Sequence, residues 1–121
     1  MAILYKEGVN GSEGLRKEIL DILPILEECF KEEGEENLTI TCTIGDHNKN
    51  DPHSNGFAID IRMHDFDVIK QEDLYHNINK TLSGLYFTQL EFKGEMKAHL
   101  HIQVYKGVWK GILDREKTKR G

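Results

Sequence analysis

Apolar residues recur at helical spacing early in the chain, at Leu15, Ile19, Ile22, Leu23, Leu26, Cys29 and Phe30. Side chains three and four positions apart share one face of a helix, so this run predicts an amphipathic helix turned toward a core. Ser12 is placed to cap its start and Gly34 to end it. Pro24 lies inside the pattern. It lacks an amide N–H and crowds the preceding turn, so it must kink or divide the helix. The period then changes. Leu38-Thr-Ile-Thr-Cys-Thr-Ile44 alternates residue by residue, as a strand with one buried face does.

Residues 45–55 are rich in Gly, Asn, Asp and Pro and read as a loop. Alternation resumes at Phe57, with Phe57, Ile59 and Ile61 on one side and Ala58, Asp60 and Arg62 on the other. Leu74, Ile78 and Leu82 predict a second helix over about 70–83, with Gly84 as its stop. Residues 85–92 and 99–105 read as two strands joined near Lys93 and Gly94 in an antiparallel hairpin. Val108, Trp109, Ile112 and Leu113 supply enough apolar surface to pack back on the body, Trp109 as a core anchor. The order is a helix followed by mixed strand and helix, without repeat or linker.

Composition narrows the class without deciding function. A chain of 121 residues is one domain, 1–121, large enough to hold a core without metal or disulfide staples. The 38% hydrophobic and 31% charged content is that of a soluble globular protein. A net charge of -5 argues against nucleic acid as a partner, because phosphate binding needs a basic footprint. The basic tail, about 114–121, reads as a solvated, frayed terminus. Cys29 and Cys42 fall on the apolar faces of the expected helix and strand and read as buried free thiols. No apolar run is long enough for membrane insertion, and the first residues lack a secretory hydrophobic region. The expectation is synthesis in the cytoplasm, with any later exit needing another agent.

Two motifs carry chemistry. His53-Ser-Asn-Gly-Phe-Ala-Ile-Asp60 sets a histidine and an aspartate around a glycine, and His99-Leu-His101 stands in an alternating run. Strand parity puts His99 and His101 on one face, with Leu100, Ile102 and Val104 on the other. Two strands thus each offer an apolar back to a core and a ligand-bearing front. Zinc takes nitrogen and carboxylate ligands, and a catalytic site keeps one position for water. His53, Asp60 and His101 can supply three ligands, two neutral and one anionic, leaving about one positive charge at the ion. Gly56 and Ala58 suit a crowded passage from loop to strand.

The combination of His53-x-x-Gly56-x-Ala58-x-Asp60-Ile-Arg62 with His99-x-His101 resembles a family of zinc peptidases. It includes D-alanyl-D-alanine carboxypeptidases and phage L-alanyl-D-glutamate endopeptidases, and the hedgehog signalling domain belongs to the same superfamily. The likeness runs over about 41–105 and is strongest to small phage-encoded members. It implies zinc on His53, Asp60 and His101, and cleavage of bonds involving D-amino acids in peptidoglycan stem peptides or D-alanyl-D-alanine. It also implies an α+β fold whose antiparallel sheet carries zinc on one face and helices on the other. An enzyme of this kind acts on the cell wall if released, as in phage lysis, or on a cytoplasmic peptide.

Many relatives carry an acid three positions before the last zinc histidine or before the H-x-H pair, where this chain has Ala98 and Met96. His99 can serve as general base, since imidazole titrates near the working pH. Glu95 is the second candidate and Glu91 a third. Arg62 shares the face of Asp60, where its guanidinium can hold a substrate carboxylate or form a structural ion pair. Asp46 and His47 read as loop residues, His64 as exposed beyond a strand end, and His76 as a helix residue without chemistry. The acids between Glu27 and Glu36 read as a solvated helix end, lacking the ligand spacing of a calcium loop. A second function class stays open: a zinc-bearing module that binds or scaffolds without cleaving, as hedgehog domains illustrate, possible as a phage component.

Overall fold

Pro24 does divide the first helical run. In the computed structural model, which describes residues 2–9, 11–43, 51–53, 55–82 and 84–120, the run becomes α1 (Lys17–Leu20) and α2 (Leu23–Glu32). Proline falls in the first turn of α2, where its missing N–H costs no hydrogen bond. Ser12 is not the cap expected of it. The position before α1 is Arg16, and Ser12 instead forms a turn in which its carbonyl accepts from Leu15. Gly34 closes α2 with φ +84°, a left-handed conformation that glycine adopts without a side-chain penalty.

The strands are β1 (Ala2–Tyr5), β2 (Asn37–Cys42), β3 (Ala58–Arg62), β4 (Tyr86–Glu91) and β5 (His99–Val104). They form one sheet in the order β1-β2-β3-β5-β4. Pairing is antiparallel except between β1 and β2, which run parallel. The sheet is therefore mixed, and the expectation of a purely antiparallel one is corrected. β1 has four residues, too few for alternation to register, and its partner lies beyond both helices in sequence. A parallel neighbour requires such a crossover connection. The remaining helices are α3 (Val68–Thr81) and α4 (Lys106–Arg120). α3 starts two residues earlier than its apolar spacing suggests, because the Asp67 carboxylate accepts from the Lys70 backbone N–H at 2.8 Å.

One face of the sheet builds the core. Ile40, Ile59, Ile61, Leu100, Ile102 and Val104 meet Ile19, Leu26 and Phe30 from the first two helices and Leu74 and Ile78 from α3. Trp109 brings α4 into this cluster, stacked on Phe57 with ring centroids 6.0 Å apart. The tail expected to fray continues that helix to Arg120, and Glu116 pairs with Arg16. The chain forms an α+β fold with a five-stranded sheet. On the opposite face the alternate residues Asp60, Arg62, His99, His101 and Gln103 are only half-buried. None of the described helices is long and apolar enough to cross a membrane.

Candidate metal centre

The antiparallel register of β3 and β5 sets Asp60 directly opposite His101 and Arg62 directly opposite His99. Residues facing each other across a pair of strands share a sheet face, so the two motifs meet there because their parities match. His53 arrives from the preceding loop, buried at 5% exposure. A tight turn delivers it: its N–H donates to the Asp51 carboxylate, and the N–H groups of Gly56 and Phe57 donate to the carbonyls of His53 and Pro52. Gly56 makes the turn possible. It sits at φ +79°, and a Cβ there would stand 2.4 Å from the Gly14 carbonyl oxygen.

The two histidines expected to bind metal converge on one oxygen of the third residue, Asp60. His101 Nδ1 lies 2.9 Å from Asp60 Oδ1, and His53 Nε2 lies 3.4 Å from the same atom. The other nitrogen of each ring has an acceptor of its own. His53 Nδ1 donates to the Thr43 carbonyl at 2.9 Å. His101 Nε2 faces Gln103 Oε1 at 2.8 Å, while the Gln103 amide donates to the Val104 carbonyl and so keeps its oxygen toward the ring. An acceptor behind each imidazole is the usual support of a metal-bound histidine, because it fixes the tautomer that leaves the opposite lone pair for the ion.

Electrostatics point the same way. With its Nδ1 proton on Thr43, a neutral His53 would aim an Nε2 lone pair at a carboxylate oxygen, which is repulsive unless a cation lies between them. In the absence of metal that cation is a proton. Burial opposes protonation of His53, but the Asp60 carboxylate and the Cys42 sulfur outweigh it and push the imidazole up to about 10. His101 is raised too, against its burial, by Asp60 and Gln103. Burial would lift Asp60, yet hydrogen bonds from His101 and His53 hold it well below the usual carboxylate range. Donor atoms along the edge of a zinc tetrahedron are about 3.3–3.8 Å apart, given zinc–ligand bonds of about 2.0–2.3 Å. The 3.4 Å His53–Asp60 separation fits that edge. The 2.9 Å His101–Asp60 separation is a hydrogen bond that would lengthen by about half an ångström on metal binding.

The donors that gather most closely differ from the expected three. Cys42, His53 and Asp60 each offer one ligand atom, all within 4.8 Å of one another, and this cluster can hold a metal ion; His101 meets it through the Asp60 oxygen. The expectation that Cys42 faces the core is corrected: it is half-buried, with Sγ 3.6 Å from His53 Nδ1. β2 carries an extra residue between Ile40 and Cys42, so Ile40 pairs with Ile61 while Cys42 pairs with Asp60. Cys29 is buried, as its helical position suggests. Sequence reasoning also missed Thr43 and Gln103. Only Gln103 had a signal, since it lies two residues beyond His101 and shares its parity.

The remaining candidates occupy the same sheet face or its margin. His99 stands opposite Glu91 on β4, with Nε2 3.3 Å from the carboxylate and Nδ1 3.1 Å from the Lys97 carbonyl. The acid that meets His99 is thus Glu91. Glu95 is exposed in the turn before β5, its N–H donating to the Phe92 carbonyl and its carbonyl accepting from Ala98. Arg62 Nη1 lies 4.0 Å from Asp65, and its buried Nε has no hydrogen-bond partner. A cleft of about 310 Å³ beside these residues is lined by Lys6, Thr41, Arg62, His64, Lys97 and His99 among others. His64 is half-buried against Asp65, where an exposed residue was expected. Asp46 and His47 lie outside the described residues. His76 is exposed against Tyr75, away from this cleft.

No family model, curated protein or solved structure matches the chain.

Proposed function

We propose that this protein is a zinc-dependent peptidase that hydrolyses bonds involving D-amino acids in peptidoglycan stem peptides or in D-alanyl-D-alanine. The observation that carries the reading is the convergence of His53 Nε2 and His101 Nδ1 on Asp60 Oδ1, each ring backed by its own acceptor. His53, Asp60 and His101 hold the ion in this reading, and the Thr43 carbonyl and Gln103 keep the two imidazoles aimed. Zinc, when bound, supplies Lewis acidity and brings the pKa of water toward neutrality.

The other roles fall to residues one step along the strands. His99 lies two positions from His101, about 7 Å along β5, within reach of a water and a substrate between them. Its imidazole accepts the proton of the attacking water, and Glu91 steadies the imidazolium that results. Proton return to the leaving amine completes the exchange. Arg62, opposite His99 and open to the cleft, pairs with a substrate carboxylate.

A second reading, a metal-bearing module of the same fold that does not cleave, is favoured by one observation. Both ring nitrogens of His99 are already engaged, by Glu91 and by Lys97. Incubating the metal-free and zinc-loaded protein with purified muropeptides and with D-alanyl-D-alanine separates the two. New amine groups that appear with zinc and vanish on chelation support the peptidase; a zinc-loaded, folded protein that releases none supports the module.

A further inference from the structure

The three-ligand scheme leaves Cys42 without a role, yet the bulge in β2 places it opposite Asp60 and beside His53. We infer that Cys42 is a fourth metal ligand whose thiolate closes the centre, and that hydrolysis requires the sulfur to leave. The cysteine is one of the donors that gather within 4.8 Å, and His101 reaches the same Asp60 oxygen. Sulfur, two nitrogens and an oxygen would give the ion four protein donors, the number at which a tetrahedral site has no place left for water.

Charge gives the closure a chemical consequence. Two neutral imidazoles and one carboxylate leave a net charge of about +1 on the ion, and a thiolate brings it to about zero. A neutral centre polarises water and carbonyl oxygen less than a cationic one. Binding to the ion would release the thiol proton to solvent, and departure of the sulfur would return a proton to the thiolate and open its position to water. Zinc-bound wild type therefore turns over, but more slowly than a protein whose position 42 cannot bind the ion. The consequence for hydrolysis rests on the peptidase reading, whereas the ligation does not.

The test uses the whole chain, stripped of metal and reloaded with cobalt(II) or zinc. Cobalt-loaded wild type is expected to show sulfur-to-cobalt charge-transfer absorption in the near ultraviolet, and Cys42→Ser to lack it. In wild type, zinc should slow alkylation of Cys42 by iodoacetamide about tenfold or more, mapped by mass spectrometry. Cys42→Ser should bind zinc at least about tenfold more weakly, since even outer-sphere partners contribute about 10- to 100-fold. At saturating zinc, Cys42→Ala should cleave muropeptides faster than wild type. Cobalt uptake without the charge-transfer band, or alkylation of Cys42 unaffected by bound zinc, overturns the ligation. The band together with equal cleavage rates in wild type and Cys42→Ala overturns the closure. The band without cleavage by either protein supports the ligation and sinks the peptidase reading; cleavage without the band does the reverse.

Discussion

Cys42 and Asp60 face each other across two strands because β2 carries one residue more than β3 between its pairings with Ile61 and Asp60. A bulge of this kind reverses the parity of everything beyond it. Ile40 stays in the core, while Cys42 crosses to the ligand-bearing face. The carbonyl of the next residue, Thr43, meets His53. One inserted residue thus supplies a sulfur donor and, through Thr43, the support behind an imidazole.

His101→Ala should hold zinc more weakly than wild type and lose part of it during purification, whereas His99→Ala should retain it. His101 meets the Asp60 oxygen directly, and His99 is occupied with Glu91 and Lys97. Elemental analysis of the two purified variants decides this. Loss of metal from both would make His99 a ligand and remove it as the base. If His99 is the base, its variant should also lose about 100- to 10,000-fold in cleavage rate.

Gln103→Leu should weaken zinc binding by about 10- to 100-fold without unfolding the chain. The amide oxygen is the acceptor behind His101, and the side chain lies half-buried on the open face, outside the core. Gln103→Glu keeps an acceptor there and should restore most of the affinity. Competition titration with a chromophoric chelator would measure both, and an unchanged affinity in Gln103→Leu would refute the supporting role.

The metal-free protein should lose stability as pH rises from about 6.5 toward about 10. His53 is raised in the folded state, so its contribution is whole below its ordinary value and fades as the folded imidazole deprotonates. Asp60 acts oppositely: its pKa is lowered, so its contribution is present above the ordinary 3.8 and declines as pH falls below it. Zinc must displace the proton of His53, so the gain in melting temperature on adding zinc should grow over the range in which the metal-free protein weakens. Melting curves with and without zinc across that range test both slopes. A metal-free melting temperature that climbs steadily toward pH 10 would contradict the protonated pair.

Gly56→Ala should destabilise the fold by at least about 2 kcal/mol, because a left-handed alanine costs about 1–2 kcal/mol before any clash. The added Cβ would meet the Gly14 carbonyl, a backbone atom that cannot swing aside. Its neighbours would be forced apart where Gly56 O accepts from the Arg16 N–H. Zinc affinity should fall as well, since the same turn positions His53. Denaturant unfolding measures the first effect, and zinc titration of the folded variant measures the second.

The chain's local periodicity was enough to determine an interruption at Pro24, by kink or division, the long helix around Leu74 and Ile78, and the pairing of 85–92 with 99–105. It was also enough to place Asp60 and Arg62 on one side of their strand and His99 and His101 on one side of theirs. These are consequences of backbone geometry within a few residues: 3.6 positions per helical turn, two per strand repeat, and a proline that cannot donate. Only the tertiary structure decided which faces met. β1 depends on a partner beyond two helices, and its four residues carry no period of their own. The path of α4 follows from burial of Trp109 against Phe57, which carries a basic, apolar-poor tail along as helix. Glu91 rather than Glu95 meets His99 because of the register of β4 on β5. Cys42 meets Asp60 because β2 bulges where it crosses β3. Register and bulges arise from the packing of distant faces against one core, a long-range energy that alternation along a single strand does not encode.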